Sequence, residues 1–172
     1  MIGPDDILIC SDLDRTLIPN GFQEESAHAR PVLRRLAENA HIFLAYVSGR
    51  DRELIRDAIE EFYLPEPDYA IGDVGTTLYR VTYGDWQLSD DWSHEIGQDW
   101  KSLAGGKLSE FLADIKEIRL QEPEKQNQYK VSFYTDQNVD PQRLIKNIQD
   151  VLAEKGFRAG IIWSVDEISR EG

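Results

Sequence analysis

Three short apolar runs, at residues 7–10 (ILIC), 41–47 (HIFLAYV) and 69–71 (YAI), alternate with two segments of helical spacing within residues 1–80. This alternation restricts the fold more than any other feature of the chain. Each run is continuous, as in a strand buried on both faces. The first intervening segment starts a helix near Pro31, whose fixed φ suits a first turn. It carries Val32, Leu33, Leu36 and Ala37 on one face to about Asn39. The second runs from about Asp51 to Phe62, with Leu54, Ile55, Ala58, Ile59 and Phe62 at helical spacing, and "LPEPD" ends it. Strand, helix, strand, helix, strand is the pattern of a parallel sheet, whose neighbouring strands need crossovers. Cys10, the only cysteine, lies in the first run and is expected to be a small buried core residue.

After residue 80 the pattern changes. Residues 78–81 and 86–88 flank a Gly84-Asp85 turn and read as an antiparallel hairpin. A helical region follows over about 98–115, weakened by Gly105-Gly106. Strands are expected at 118–121 and 129–135. Asp140-Pro141 opens a helix, with Asp as cap and Pro in the first turn, and Gly156 closes it. A last strand is expected at 161–165. The fold class is therefore α/β: a partial Rossmann-like parallel sheet over 1–80, then an α+β unit with an antiparallel sheet over 81–172.

The net charge is -13, spread over both parts: 15 acidic against 8 basic groups in 1–80, and 17 against 11 in 81–172. This argues against nucleic acid and anionic membrane as partners. A phosphorylated substrate needs a local positive field, from a metal ion or a helix N-terminus. No apolar run approaches the ~20 residues of a membrane span. The start, MIGPDDILIC, lacks the basic region of a signal peptide, and a lone cysteine cannot form an internal disulfide. A cytoplasmic location is the expectation.

Chemistry concentrates at the carboxyl ends of the expected strands, where open parallel sheets bind ligands. Asp12 and Asp14 follow the first strand, two apart, so an extended backbone aims both at one place. Ser48 follows the second strand and precedes a helix, where a hydroxyl and backbone N–H groups suit a phosphate oxygen. Two carboxylates beside an anion site make joint sense with a divalent cation between them. D-x-D alone arises often by chance, and Asp and Ser are ordinary caps; the order of the motifs and their strand context carry the reading.

The strand followed by D-x-D-x-T-L, from Asp12 to Leu17, resembles the first motif of the haloacid dehalogenase (HAD) superfamily, and "VSGR" at 47–50 resembles its second. "DYAIGDVGTTLY" and "YKVSFYTD" are similar to segments of its sucrose-phosphate phosphatase group, which carries an α+β cap after the third strand. The resemblance implies a Mg²⁺-dependent phosphomonoester hydrolase acting on a small sugar phosphate such as sucrose 6-phosphate. It implies Asp12 as the nucleophile forming an aspartyl-phosphate, and Asp14 as general acid and then base. It implies Mg²⁺ on the Asp12 carboxylate and the Asp14 backbone carbonyl. Ser48, with Gly49, Arg50 and Thr16, would bind the phosphate or order the loop around it. Gly75, Thr76 and Thr77 would lie against the sugar at the core-to-cap junction, although the family often has an acidic residue where Thr77 stands.

The superfamily also uses a lysine and a G-D-x-x-N/D-D motif, both after the cap. Here no lysine precedes Lys101 and no such motif follows residue 80. The expectation is thus the first half of the core plus the whole cap, nearly inactive by itself and self-associating through the incomplete core. The alternatives are a phosphatase for mannosyl-phosphoglycerate or trehalose phosphate, or a non-catalytic phosphatase-like domain of a sucrose-phosphate synthase. Trp86, Trp92, Trp100 and Trp163 could stack on a sugar, but core packing is their more ordinary use. His28, His41 and His94 have no mutual ligand spacing.

Overall fold

A computed structural model describes residues 3–19, 26–100 and 105–164. By contacts the chain divides into two compact units, Met1–Lys101 and Ser102–Gly172.

In the first unit, β1 (Ile7–Asp12), β2 (Ile42–Val47), β3 (Tyr69–Gly72), β4 (Thr77–Thr82) and β5 (Asp85–Leu88) form one sheet in that order. β1 and β2 are parallel, with Ile9 beside Leu44 and Asp12 beside Val47, and β2 and β3 are parallel. The crossovers carry α1 (Ala29–Ala37) and α2 (Arg52–Glu61). Leu44, Tyr46, Ile55, Ala58 and Leu64 are buried together, and Ile9, Leu33, Ala37 and Ile59 pack on them. Both helices therefore cover the same face of the sheet. Buried Tyr46 keeps a partner, donating to the Pro65 carbonyl at 2.8 Å, and burial raises its pKa.

The sequence boundary near residue 80 falls inside β4, because β4 and β5 pair antiparallel onto β3 and extend the first sheet. Their connection is a two-residue turn, Tyr83 and Gly84, with φ of 51° and 78°. Two positive φ values in a two-residue hairpin match the right-handed twist of the strands, which explains the glycine.

A helix the sequence reading missed follows: α3 (Asp90–Asp99). Its signal is in the chain, since Ser89 caps it by accepting the Trp92 N–H, and Asp90 and Asp91 sit in its positive first turn. The expected 98–115 helix is replaced by α3, by α4 (Gly105–Phe111), and by residues 101–104, which lie outside the described residues.

In the second unit, β6 (Ile118–Leu120) and β7 (Phe133–Thr135) pair antiparallel. α5 (Pro141–Glu154) starts as expected: Asp140 accepts the N–H groups of Gln142 and Arg143. It ends at Gly156, φ 78°, where Gly156 and Phe157 donate to the carbonyls of Ala153 and Leu152. Leu108, Leu112, Ile115, Leu144 and Leu152 are buried. The strand expected at 161–165 does not form over 161–164; Val165 lies outside the described residues. No described helix is long and apolar enough to cross a membrane.

One expectation about the core is overturned. Among the described residues β1 is an edge strand, and Cys10 is exposed rather than buried. Its apolar run reads as covered on both faces, whereas α1 and α2 both pack on the face that carries Ile9, Leu44 and Tyr46, and Leu8 and Cys10 on the other face are exposed.

Candidate functional site

β1 ends on Asp12, whose Oδ1 accepts the Leu13 N–H at 2.8 Å. The loop that follows is pinned by two buried side chains, Leu13 and Ile18. Leu17 and Ile18 donate to the Leu13 carbonyl at 2.9 Å each, and Arg15 donates to the Ile18 carbonyl at 2.9 Å. Closing so short a loop puts Arg15 in the left-handed region, φ 61°. With the apolar pins turned inward, the polar members are left outside: Asp12 and Thr16 are exposed and Asp14 is half-buried. Thr16 donates its backbone N–H to Leu13 at 3.2 Å, consistent with a role in loop order.

Ser48 continues β2 for one more bond, donating its N–H to Ile71 at 2.9 Å. It is buried, and its Oγ accepts the Arg50 N–H at 3.2 Å. Its hydroxyl proton can still be donated to an oxyanion. Asp51 caps α2 by accepting the Leu54 N–H, so a carboxylate already holds part of that helix N-terminus. Arg50 reaches back to the first loop. Its Nε donates to Asp14 Oδ2 at 3.0 Å and its Nη2 to Oδ1 at 2.8 Å. This fork is a charge-assisted bidentate pair. Hydrogen bonding to Asp14 raises the Arg50 pKa, and partial burial opposes the rise.

A third loop, after β3, was singled out only in part by the sequence. Asp73, Val74 and Gly75 have φ of 51°, 55° and 92°. A left-handed Val is rare, because its branched side chain crowds the backbone, and such strain gathers at functional sites. Asp73 is buried; its N–H donates to the Arg50 carbonyl at 2.8 Å and its Oδ2 accepts from Thr77 Oγ1 at 3.2 Å. A Cβ on Gly72 would stand 2.9 Å from that same Arg50 carbonyl, and one on Gly49 would touch Val74 at 3.5 Å. These glycines let the second and third loops lock together. Thr76 Oγ1 donates to the Asp73 carbonyl at 2.8 Å, and Trp92 Nε1 from α3 donates to the Gly75 carbonyl at 3.0 Å.

The structure thus joins Asp14 with Ser48, Gly49 and Arg50, and joins those in turn with Asp73, Gly75, Thr76 and Thr77. Asp12 lies at the strand end beside Val47. The sequence reading missed the buried carboxylate of Asp73 and the anchoring indole of Trp92. Position at a strand end was the available signal for Asp73; nothing local could have linked Trp92 to Gly75.

Among the described residues no group of three or more His, Cys, Asp or Glu side chains is arranged to hold a metal ion. Mg²⁺ commonly binds one or two protein oxygens and keeps water or substrate phosphate for the rest. The Asp12 carboxylate and the Asp14 backbone carbonyl fit such a partial set. The Asp14 carboxylate does not, while both its oxygens are on Arg50.

Parallel β1–β3, the carboxylates after β1 and the hydroxyl after β2 define a chain of the haloacid dehalogenase superfamily. Within it, the chain belongs to the Sucrose-6F-phosphate phosphohydrolase family, whose profile matches residues 5–168. A protein of Nitrosococcus oceani, described as a "Putative HAD-like hydrolase", is 53% identical over 166 residues, covering 96% of this chain and 45% of the relative. Sucrose-phosphatase 2 of Nicotiana tabacum is 28% identical over 160 residues, covering 92% of this chain and 36% of the relative. The chain thus spans less than half the length of either. The sucrose-phosphatase of Synechocystis, solved with sucrose and phosphate, shares the fold with a TM-score of 0.72 at 22% identity, over 92% of this chain and 60% of that one.

Proposed function

We propose that this chain carries the nucleophile-bearing part of a phosphatase active site for a small sugar phosphate, with sucrose 6-phosphate as the leading substrate. The observation that carries the reading is the exposed Asp12 at the end of β1, next to an Asp14 held by the arginine of the Ser48 loop. The sugar is suggested by the family's name and by relatives such as the mannosylfructose-phosphate phosphatase of Agrobacterium fabrum, 28% identical over 162 residues.

In this reading an Asp12 carboxylate oxygen attacks phosphorus, and the bond from phosphorus to the sugar oxygen breaks. Asp14, as a carboxylic acid, gives its proton to the departing oxygen. Water then attacks the aspartyl-phosphate, Asp14 takes a proton from it, and phosphate leaves with Asp12 restored. Ser48 donates to a phosphoryl oxygen. Gly75, Thr76 and Thr77 form the loop facing the sugar; the threonine hydroxyls hold that loop through Asp73. Mg²⁺, held by the Asp12 carboxylate and the Asp14 carbonyl, would neutralise phosphoryl charge when bound.

The Asp14–Arg50 pair sets a requirement. A carboxylate with both oxygens on a guanidinium has no proton to give. Arg50 therefore transfers to the phosphoryl oxygens, an equally good bidentate partner, before Asp14 acts as an acid. The test is phosphate release from sucrose 6-phosphate, with and without Mg²⁺. It is run on this chain and on a chimera in which this chain replaces the matching part of the Nitrosococcus relative. Mg²⁺-dependent release by the chimera, lost in Asp12→Asn, is expected. Release unaffected by Asp12→Asn would sink the reading.

A further inference from the structure

We propose that Trp92 is a positioning residue for the sugar-facing loop: its indole N–H locks the Gly75 carbonyl, and so holds the strained turn at 73–75 against the loop that carries Ser48 and Arg50. The inference rests on the proposed reading of residues 75–77 and names a side chain that fixes them. Strain is the starting point. Asp73, Val74 and Gly75 follow one another with φ of 51°, 55° and 92°. Such a run costs energy and persists only where its surroundings over-determine it. Its entry is held, because the Asp73 N–H donates to the Arg50 carbonyl at 2.8 Å. Its middle is held by Thr76 and Thr77, whose hydroxyls donate to Asp73 oxygens at 2.8 and 3.2 Å. Its exit is a glycine, which adopts either sign of φ at little cost, so the Gly75 carbonyl can turn unless it is held. Trp92 Nε1 donates to that carbonyl at 3.0 Å, and the N–H of the same peptide, on Thr76, donates to the Asp73 carbonyl at 3.2 Å. The peptide is gripped at both ends.

The donor is itself fixed in place. Ser89 donates its N–H to the Leu78 carbonyl at 2.8 Å, which ties the start of α3 to β4, and its Oγ accepts the Trp92 N–H at 3.2 Å. Trp92 therefore stands in the first turn of α3 and reaches back past the start of β4 to the loop from which that strand leaves. Packing alone would need only the ring; this bond needs the indole nitrogen, which can donate and nothing else. What the lock presents is accessible. Val74 is 41% exposed, and a Cβ built on Gly49 would stand 3.5 Å from its Cγ1, so the turn lies against the second loop. Among the described residues, a Cβ on Gly75 would meet nothing within 4 Å, which leaves room beside the turn for a ligand. An apolar side chain with open space and threonine hydroxyls near it suits the mixed C–H and hydroxyl surface of a sugar.

The test separates the indole nitrogen from the ring. Trp92→Phe keeps an aromatic ring and removes the donor. In the chain alone it should shift the backbone amide resonances of Asp73, Val74 and Gly75 and leave those of Leu144 and Leu152 in α5 where they were. In the chimera it should raise KM for sucrose 6-phosphate about fivefold to tenfold, the worth of one hydrogen bond, with kcat changed less than about twofold. KM for p-nitrophenyl phosphate, which carries no sugar, should stay as it was. Ser89→Ala loosens the start of α3 but keeps the indole, and should give a smaller rise on the sugar phosphate alone. Unmoved resonances at 73–75 would overturn the proposal. So would KM rising alike on both substrates, or a kcat loss shared by both together with a lower urea midpoint, the mark of a merely structural role. Should the Trp92→Phe chain fail to fold, the unaltered chain decides. Its Trp92 indole N–H should exchange with solvent more than about tenfold slower than a free indole, and exchange at the free rate would overturn the lock. A chimera inactive on sucrose 6-phosphate would sink the proposed reaction, whereas the lock is read from resonances and exchange without turnover.

Discussion

Asp12 and Asp14 are both carboxylates two residues apart, yet their surroundings differ. Asp12 is exposed with one short bond to a backbone N–H, whereas Asp14 has a guanidinium on both oxygens. In the active chimera, Asp12→Asn should abolish turnover on every substrate. Asp14→Asn should cost about 10²–10⁴-fold in kcat/KM on a sugar phosphate, the usual worth of general acid–base catalysis. It should cost much less on p-nitrophenyl phosphate, whose leaving group departs without protonation. Equal losses on both would remove Asp14 from the acid role. Gly72 offers a second test at this scale. An added Cβ would stand 2.9 Å from the Arg50 carbonyl, so the two loops would have to part. Gly72→Ala should destabilise the first unit by about 1–3 kcal/mol, read as a lower urea midpoint at unchanged slope. It should lower kcat/KM as well, because the backbone that carries Ser48 and Arg50 shifts.

Elements here are set by their ends as much as by their faces. α2, α3 and α5 each begin with an acidic or hydroxyl cap whose bond is present: Asp51 to Leu54, Ser89 to Trp92, and Asp140 to Gln142 and Arg143. Asp140→Ala should cost about 1 kcal/mol, the usual worth of such a cap. Because Asp140 lies in the second unit, the loss should appear as faster amide exchange along α5 with little change at β1–β3. Equal loss of protection in both units would mean that they unfold as one. The α3 cap has a functional consequence too, since it orients the helix whose Trp92 indole holds the Gly75 carbonyl.

For the whole molecule, two terms oppose each other. Among the described residues β1 pairs on one edge alone and Leu8, Cys10 and Val47 stand exposed beside it, which favours association, while a charge of -13 keeps copies apart at low salt. Raising ionic strength shortens the Debye length from about 30 Å at 0.01 M to about 3 Å at 1 M. The purified chain alone should therefore form larger species as salt is raised, seen by sedimentation velocity. A monomer throughout, at high protein concentration, would mean that the apolar face is too small to drive association.

The strand and helix order of the first 80 residues was readable because apolar periodicity is local, and so was the cap of α5. The motifs at 12–17 and 47–50 were readable for a related reason: each lies directly after a strand, where an open parallel sheet places its ligands. Pairings between distant residues were not readable. That Arg50 closes on Asp14, that Asp73 holds the Arg50 backbone, and that Trp92 reaches Gly75 depend on contacts across 36, 23 and 17 positions of chain. Local periodicity carries no information at that range. Periodicity also shows that β1 is apolar, not what lies on each side of it. Burial is a property of the neighbours a strand acquires, so Cys10 read as core in the sequence and stands exposed at the sheet edge in the fold.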